Sequence, residues 1–293
     1  YLRIYFAGMA ATMLYNFGAA LLRAVGDTQR PLFYLFFAGI VNVVLNLFFV
    51  IVMKLDVAGV ALATVISQCI SAALVVRCLM KEQGAIHLDL HSLGFDKIKL
   101  RQILQVGLPA GVQGILFSLS NVVIQASING FGETVMAGNS AASNIENFIY
   151  VALNAFYQAN VSFTSQNMGA GNYHRIWKIL FRVEACVLVL GLALGGLTYL
   201  FGPQLLSLYS SSPAVIAAGL VRLKIVAVMY VLCGFMDSCV GTLRGIGYSV
   251  LPMIVTLVGA CALRLVWISV LFQNPAYHTV DVIYWSYPVS WVV

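Results

Sequence analysis

Charge is what this sequence has least of. Of 293 residues only 9% are Asp, Glu, Lys or Arg, whereas 61% are hydrophobic and the mean hydropathy is +0.93. Soluble domains carry about 25% charged residues, so this chain lacks the polar surface needed to stay dissolved. Cysteine is also scarce: the six, at 69, 78, 186, 233, 239 and 261, are gathered in no loop, which excludes a secreted disulfide scaffold. They read as small apolar residues of membrane helices, and no disulfide is expected. No Gly-Lys phosphate-binding motif of an ATP-driven pump is present. None of the four His (87, 91, 174, 278) falls near the centre of a predicted span, which leaves an intramembrane enzyme without a base or a metal site. The cluster His87-Leu88-Asp89-Leu90-His91 lacks a third anchor and reads as solvated linker rather than as metal ligands. No metal and no cofactor are expected.

What is there is a series of long charge-free runs. They cover 4–22, 31–53, 57–76, 102–132, 147–174, 185–221, 225–243 (broken by Asp237) and 245–263 with a continuation to about Phe272. A bilayer core of roughly 30 Å takes about 20 helical residues at 1.5 Å each, so these runs predict eight spans, with a ninth starting near Thr279. The runs are continuously apolar, which argues against a β-barrel. The fold class is all-α, a polytopic membrane helix bundle. The one long connection, 81–101, separates a segment 1–80 from a segment 102–293, and its end, 95–105, predicts an interfacial helix.

The few charges orient the bundle. With alternating spans, one side holds Arg23, Arg30, Arg77, Lys81, Lys97, Lys99, Arg101, Arg175, Lys178, Arg182 and Arg244, 11 of the 16 Lys and Arg. The other holds Arg3, Lys54, Arg222 and Lys224, and Arg264 falls within a span. An 11 to 4 bias places the long connection in the cytoplasm of a cell with an inner (plasma) membrane. The net charge of +6 then reports topology, and nucleic-acid binding is not implied.

The chain also matches itself. At an offset of 221, Leu2, Ile4, Leu22, Arg23, Gly26 and Pro31 meet Leu223, Ile225, Leu243, Arg244, Gly247 and Pro252. Both copies run the same way across the membrane, the parallel repeat of a two-lobe transporter with its substrate site between the halves. The offset runs past both ends of the chain, which opens on Tyr1, so a longer parent of two six-helix lobes is expected, truncated here at the N-terminus.

Four motifs carry a family resemblance: Tyr15-Asn16-Phe17-Gly18-Ala19-Ala20-Leu21-Leu22-Arg23-Ala24-Val25-Gly26-Asp27-Thr28, then Val106-Gly107-Leu108-Pro109, Ser165-Gln166-Asn167-Met168-Gly169-Ala170-Gly171-Asn172, and Gly241-Thr242-Leu243-Arg244-Gly245-Ile246-Gly247. In this order they resemble the multidrug and toxic compound extrusion (MATE) family. The resemblance implies that 1–80 holds helices 4–6 of the family and 102–293 holds helices 7–12, the last incomplete. It further implies a monomeric twelve-helix antiporter, no enzyme, that exports small organic, often cationic, compounds by alternating access, driven by Na⁺ or H⁺. The chain departs from the family where members carry an acid in the seventh helix, for it has Gln113, Phe117, Ser118 and Asn121 there. A lipid-linked oligosaccharide flippase of the same superfamily is the alternative. It would want a cavity more basic than Arg264, Asp237 and Glu146 promise.

Ionisable residues within spans cost roughly 2.5–3.5 kcal/mol on insertion scales, so each marks a candidate site. Asp237 leads as the group that exchanges H⁺, Na⁺ or a cationic cargo. Glu146, with Asn147, Asn154 and Gln158, forms a polar stripe on its helix, read as cavity lining. Gln113, Ser118 and Asn121, with Asn42 and Asn46, read as links between helices that could face the same cavity. Glu184 reads as an ion pair with Arg182 or Lys178, and Arg264 as a cation whose partner could be Asp237.

Overall fold

The computed structural model describes residues 2–84 and 86–293; Tyr1 and Ala85 lie outside the described residues. Among the described residues every regular element is helical. The chain forms two compact units, 1–95 and 96–293.

The first unit holds α1 (Leu2–Ala7), α2 (Met9–Ala24), α3 (Gln29–Leu47), continued by a π turn (Phe48–Val52), and α4 (Asp56–Lys81). Tyr15, Ala19 and Leu22 of α2 pack on Ala72, Val75 and Leu79 of α4. A Cβ on Gly18 would lie 2.2 Å from Val75 Cγ1, so only glycine lets the two helices approach this closely. Asn42 donates to Ser67 Oγ at 3.2 Å and Asn46 to Asn42 Oδ1 at 3.0 Å, which ties α3 to α4. Arg30 binds Glu82 at 2.6 Å and also pairs with Asp27. The His87 ring meets the Glu82 carbonyl, and the His91 N–H donates to Asp89, whose carboxyl is held below its ordinary range by that bond.

The second unit holds α5 (Lys97–Asn129), α6 (Glu133–Gly169), α7 (Tyr173–Leu200), the short α8 (Gly202–Ser207), α9 (Pro213–Arg222), α10 (Val228–Gly245), α11 (Val250–Thr256), α12 (Leu263–Val266) and α13 (Val280–Val292). A π turn, Leu223–Ala227, joins α9 to α10, and two more, Leu257–Ala262 and Trp267–Leu271, flank α12. The expected interfacial helix is absent as a separate element: Asp96 caps α5, accepting from Ile98 and Lys99 N–H, and α5 runs on through Pro109. Close approaches recur at glycines. A Cβ on Gly138 of α6 would meet Gly219 N and Val215 O of α9 at 2.7 Å, and one on Gly234 of α10 would meet Val187 of α7 at 2.5 Å.

Among the described residues six helices are long and apolar enough to cross a bilayer, not the eight or nine expected: Gln29–Val52, Asp56–Lys81, Lys97–Asn129, Tyr173–Leu200, Pro213–Gly245 and Val250–Leu271. Three of the predicted runs fall short for different reasons. The first is interrupted at Gly8 into pieces of 6 and 16 residues, the last helix has 13, and α6, at 37 residues, carries too many Asn, Ser and Gln for an apolar window. The run 185–221 is not one helix either, because α7 stops at Leu200 and Pro213 opens the next rod. That rod passes straight through Arg222 and Lys224, which were expected in a loop.

The offset of 221 reappears in the backbone. Ala24 and Gly245 end α2 and α10, and Gln29 and Val250 begin α3 and α11. In both places a glycine at positive φ follows, Gly26 at 91° and Gly247 at 96°. In both, the next N–H reaches back five residues, Asp27 to Leu22 and Tyr248 to Leu243, at 3.0 and 2.9 Å. This is the glycine-dependent helix stop that satisfies the last carbonyls.

The π turns have a cause that can be read from burial. Pro252, Thr256, Ala260, Arg264, Ile268 and Phe272 are all buried, a strict four-residue period. In an α-helix each step of four overshoots a full turn by about 40°, so five steps drift by about 200° and wrap the buried face to the far side. Turns bonded five residues apart take up an extra residue and hold that face inward.

Candidate functional site

A cavity of about 660 Å³ opens within the second unit, lined by side chains of α5, α6, α10 and α13 together with Arg222 of α9 and Arg264 of α12. Each wall is one helical face. On the Pro213–Gly245 rod Arg222, Val226, Tyr230, Cys233, Asp237, Val240 and Arg244 recur at steps of three or four, with Met236 beside Asp237. From α5 come Gln113, Phe117, Asn121 and Gln125, and from α6 come Glu146, Asn147, Tyr150, Asn154 and Tyr157.

Glu146 is not free. Arg222 donates to both its oxygens, Nε at 3.0 Å and Nη2 at 2.6 Å, in a buried two-point pair. The remaining nitrogen, Nη1, donates to Asn139 Oδ1 at 2.7 Å, which also accepts from the Tyr284 hydroxyl at 3.3 Å. Asn139 in turn donates to Gln125 at 2.9 Å. The guanidinium lies 5.6 Å from the Tyr284 ring and 5.3 Å from the Tyr287 ring. Every strong donor and acceptor in this cluster has a partner, as a charge pair removed from water requires.

Asp237 stands differently. It lines the cavity two helical turns before Arg244, yet among the described residues its carboxylate makes no hydrogen bond and no ion pair. Arg244 is held by neutral groups instead, donating to Gln113 Oε1 at 2.5 Å and Tyr157 Oη at 2.6 Å. Arg264 is buried and does not meet Asp237. It donates to Ser290 Oγ at 2.8 Å and, more weakly, to Asn121 Oδ1 at 3.4 Å, and it lies 4.5 Å from the Tyr287 ring.

The structure places Asp237, Glu146, Asn147, Asn154, Gln113, Ser118 and Asn121 on the cavity wall. Gln158 is exposed and off it, because Tyr157 takes the inward place through its bond with Arg244. Asn160 turns away from the cavity and ties α6 to α10, donating to Ser238 O at 2.7 Å and Thr242 Oγ1 at 2.9 Å. Asn42 and Asn46 bond within the first unit. Glu184 pairs with neither Arg182 nor Lys178; Cys239 donates to one oxygen at 3.7 Å and the other is buried without a partner. Sequence reasoning missed Arg222 and Arg244 as cavity residues. It broke the helix at the charges, although Ser212-Pro213 is a helix start and positions 219, 223, 227 and 231 carry one buried face across Arg222. With these two, three arginines and two acids line the cavity, a more basic wall than expected.

Comparison with known proteins bears on the same segment. The family model MatE matches residues 109–268, which contain Glu146, Arg222, Asp237, Arg244 and Arg264. The model for the lipid II flippase MurJ matches residues 1–130, which contain none of these five. The chain is 29% identical over 264 residues to the probable multidrug resistance protein YpnP of Bacillus subtilis, covering 90% of this chain and 59% of the relative. It is 22% identical over 270 residues to the probable multidrug resistance protein NorM of Thermotoga maritima, covering 90% and 58%. Among solved structures, an outward-facing multidrug resistance MATE transporter of the MOP superfamily superposes with a TM-score of 0.92 at 22% identity, over 100% of this chain and 65% of that one. The chain thus spans somewhat over half the length of the curated relatives it matches, and these relatives are transporters, not enzymes.

Proposed function

Since the chain belongs to the MatE family, we propose that it is part of a secondary active exporter in which a coupling cation, Na⁺ or H⁺, and an organic cargo compete for the cavity of the second unit. The observation that carries this reading is Asp237: a carboxylate at membrane depth, on a cavity wall, with no protein partner among the described residues. A charge within a membrane span that has no partner is costly and calls for a cation from outside the protein. A coupling ion and a cationic group cannot both occupy one carboxylate, and that mutual exclusion is the physical basis of antiport. Glu146 is neutralised by Arg222 and serves as a structural member of the wall.

In this reading the 221-residue repeat marks two lobes of like fold, and α6 is a further spanning helix whose polar face is the cavity wall. The protein acts as a monomer in the inner membrane with its 81–101 connection in the cytoplasm. Withdrawing Arg222 and Arg244 into the cavity leaves a basic bias of 10 to 3, so the orientation argument keeps its force.

The test is efflux of an organic cation from proteoliposomes with an imposed Na⁺ or H⁺ gradient. Asp237→Asn is expected to abolish gradient-driven efflux while leaving expression and thermal stability unchanged. Undiminished efflux in that variant would remove Asp237 from the mechanism. Lipid scrambling with no cation movement would favour the flippase instead.

A further inference from the structure

The cavity's charges do not balance. Three arginines and two acids line it, and Arg222 and Glu146 neutralise each other through two bonds of 3.0 and 2.6 Å. That leaves Arg244 and Arg264 against Asp237. Among the described residues neither arginine forms an ion pair.

Arg264 is the sharper case. It is 2% exposed, and its strongest acceptor is a single hydroxyl, Ser290 Oγ at 2.8 Å, with Asn121 Oδ1 at 3.4 Å and no bond from Nη2 to any described residue. The rings of Tyr287 and Phe117, 4.5 and 5.8 Å from the guanidinium carbon, fix the plane of the group. A guanidinium at membrane depth normally has a carboxylate, and its planar fork matches the two oxygens of a carboxylate or phosphate. Here the fork is oriented, desolvated and short of acceptors, on the wall of a cavity large enough for a small organic molecule. Asp237 lines the same cavity, so the guanidinium and the carboxylate face one space that a single small molecule can fill.

We propose that the cargo of this cavity is amphoteric: an organic compound whose cationic group takes Asp237 and whose carboxylate, sulfonate or phosphate takes Arg264, with Arg244 as the second cation of the anion-accepting wall. This rests on the export reading above and narrows its substrate class. A simple organic cation would satisfy Asp237 but leave Arg264 unpaired and be repelled by it. An amphoteric one neutralises both, and its cationic end still competes with the coupling ion.

The test compares a zwitterionic rhodamine bearing a free benzoate with its methyl ester, a plain cation of nearly the same shape, by fluorescence polarisation on the intact protein in nanodiscs. The wild type is expected to hold the zwitterion about tenfold more tightly than the ester. Arg264→Gln is expected to weaken the zwitterion and slightly tighten the ester, which loses a repelling charge, so that the two dyes bind alike, with Arg264→Lys, which keeps the charge but not the fork, in between. Asp237→Asn weakens both dyes. Equal binding of the two dyes by the wild type overturns the proposal, as does an equal loss of both in Arg264→Gln. The wild-type comparison decides the matter even if the variants fail to fold. The two readings also fail separately: equal binding combined with Asp237-dependent efflux of the ester leaves the export reading standing and removes only the amphoteric cargo.

Discussion

The side chains of the cavity divide by whether the protein itself satisfies them. Glu146 and Arg222 are satisfied and Asp237 is not, although all three are ionisable and line one cavity. The difference predicts opposite phenotypes. Glu146→Gln leaves a buried arginine without its counter-charge and is expected to cost roughly 3–5 kcal/mol, read as a large drop in the thermal unfolding midpoint in detergent. Adding Arg222→Met to it is expected to recover most of the loss, because the pair is then removed whole. A double variant no more stable than the single one would show that Arg222 is anchored by Asn139 and the tyrosines rather than by Glu146. Asp237 could be read from sequence because a lone acid interrupts an otherwise apolar run. The role of Glu146 could not, because its partner is 76 positions away and had been assigned to a loop.

At the scale of the element, helices could be read where charge and period agreed and misread where function bent them. The helix stops at Gly26 and Gly247 were visible as Arg-x-x-Gly repeats, and the backbone repeats there bond for bond. The Pro213–Gly245 rod was cut short because two charges close together, Arg222 and Lys224, read as a loop although the rod as a whole is apolar enough to span. Packing predictions belong at this scale. Gly138→Val places side-chain carbon against the α9 backbone, which cannot give way, and is expected to lower the unfolding midpoint by several degrees or prevent folding. Gly39→Ala in α3, where a Cβ meets nothing within 4 Å, is expected to be neutral or to stabilise by about 0.5–1 kcal/mol. Equal effects of the two substitutions would mean that the α6–α9 contact is not close in the membrane.

Across the whole molecule, 61% apolar content explains why so many large side chains face outward: Phe33, Phe36, Ile51, Val52, Phe181 and Val189 are each more than half exposed, which suits hydrocarbon and not water. The basic bias gives the orientation prediction. A cysteine placed at exposed Ser92, in a background with the native cysteines replaced, is expected to react with a membrane-impermeant thiol reagent in inside-out vesicles and not in intact cells. Labelling from outside the cell would invert the topology. The turns around Arg264 carry a further consequence, in the arithmetic of insertion and deletion. Losing one residue from an ordinary α-helix such as α7 swings everything beyond it by about 100°, turning lipid-facing carbons inward. Losing one from Leu257–Ala262 only tightens a wide turn to a normal one, and Arg264 keeps its heading. Deleting Ala262 is therefore expected to leave export largely intact where deleting Leu188 abolishes it. Along this stretch the cavity is indexed by direction rather than by residue count, so relatives can differ there by a one-residue gap and still present the same guanidinium to the same side.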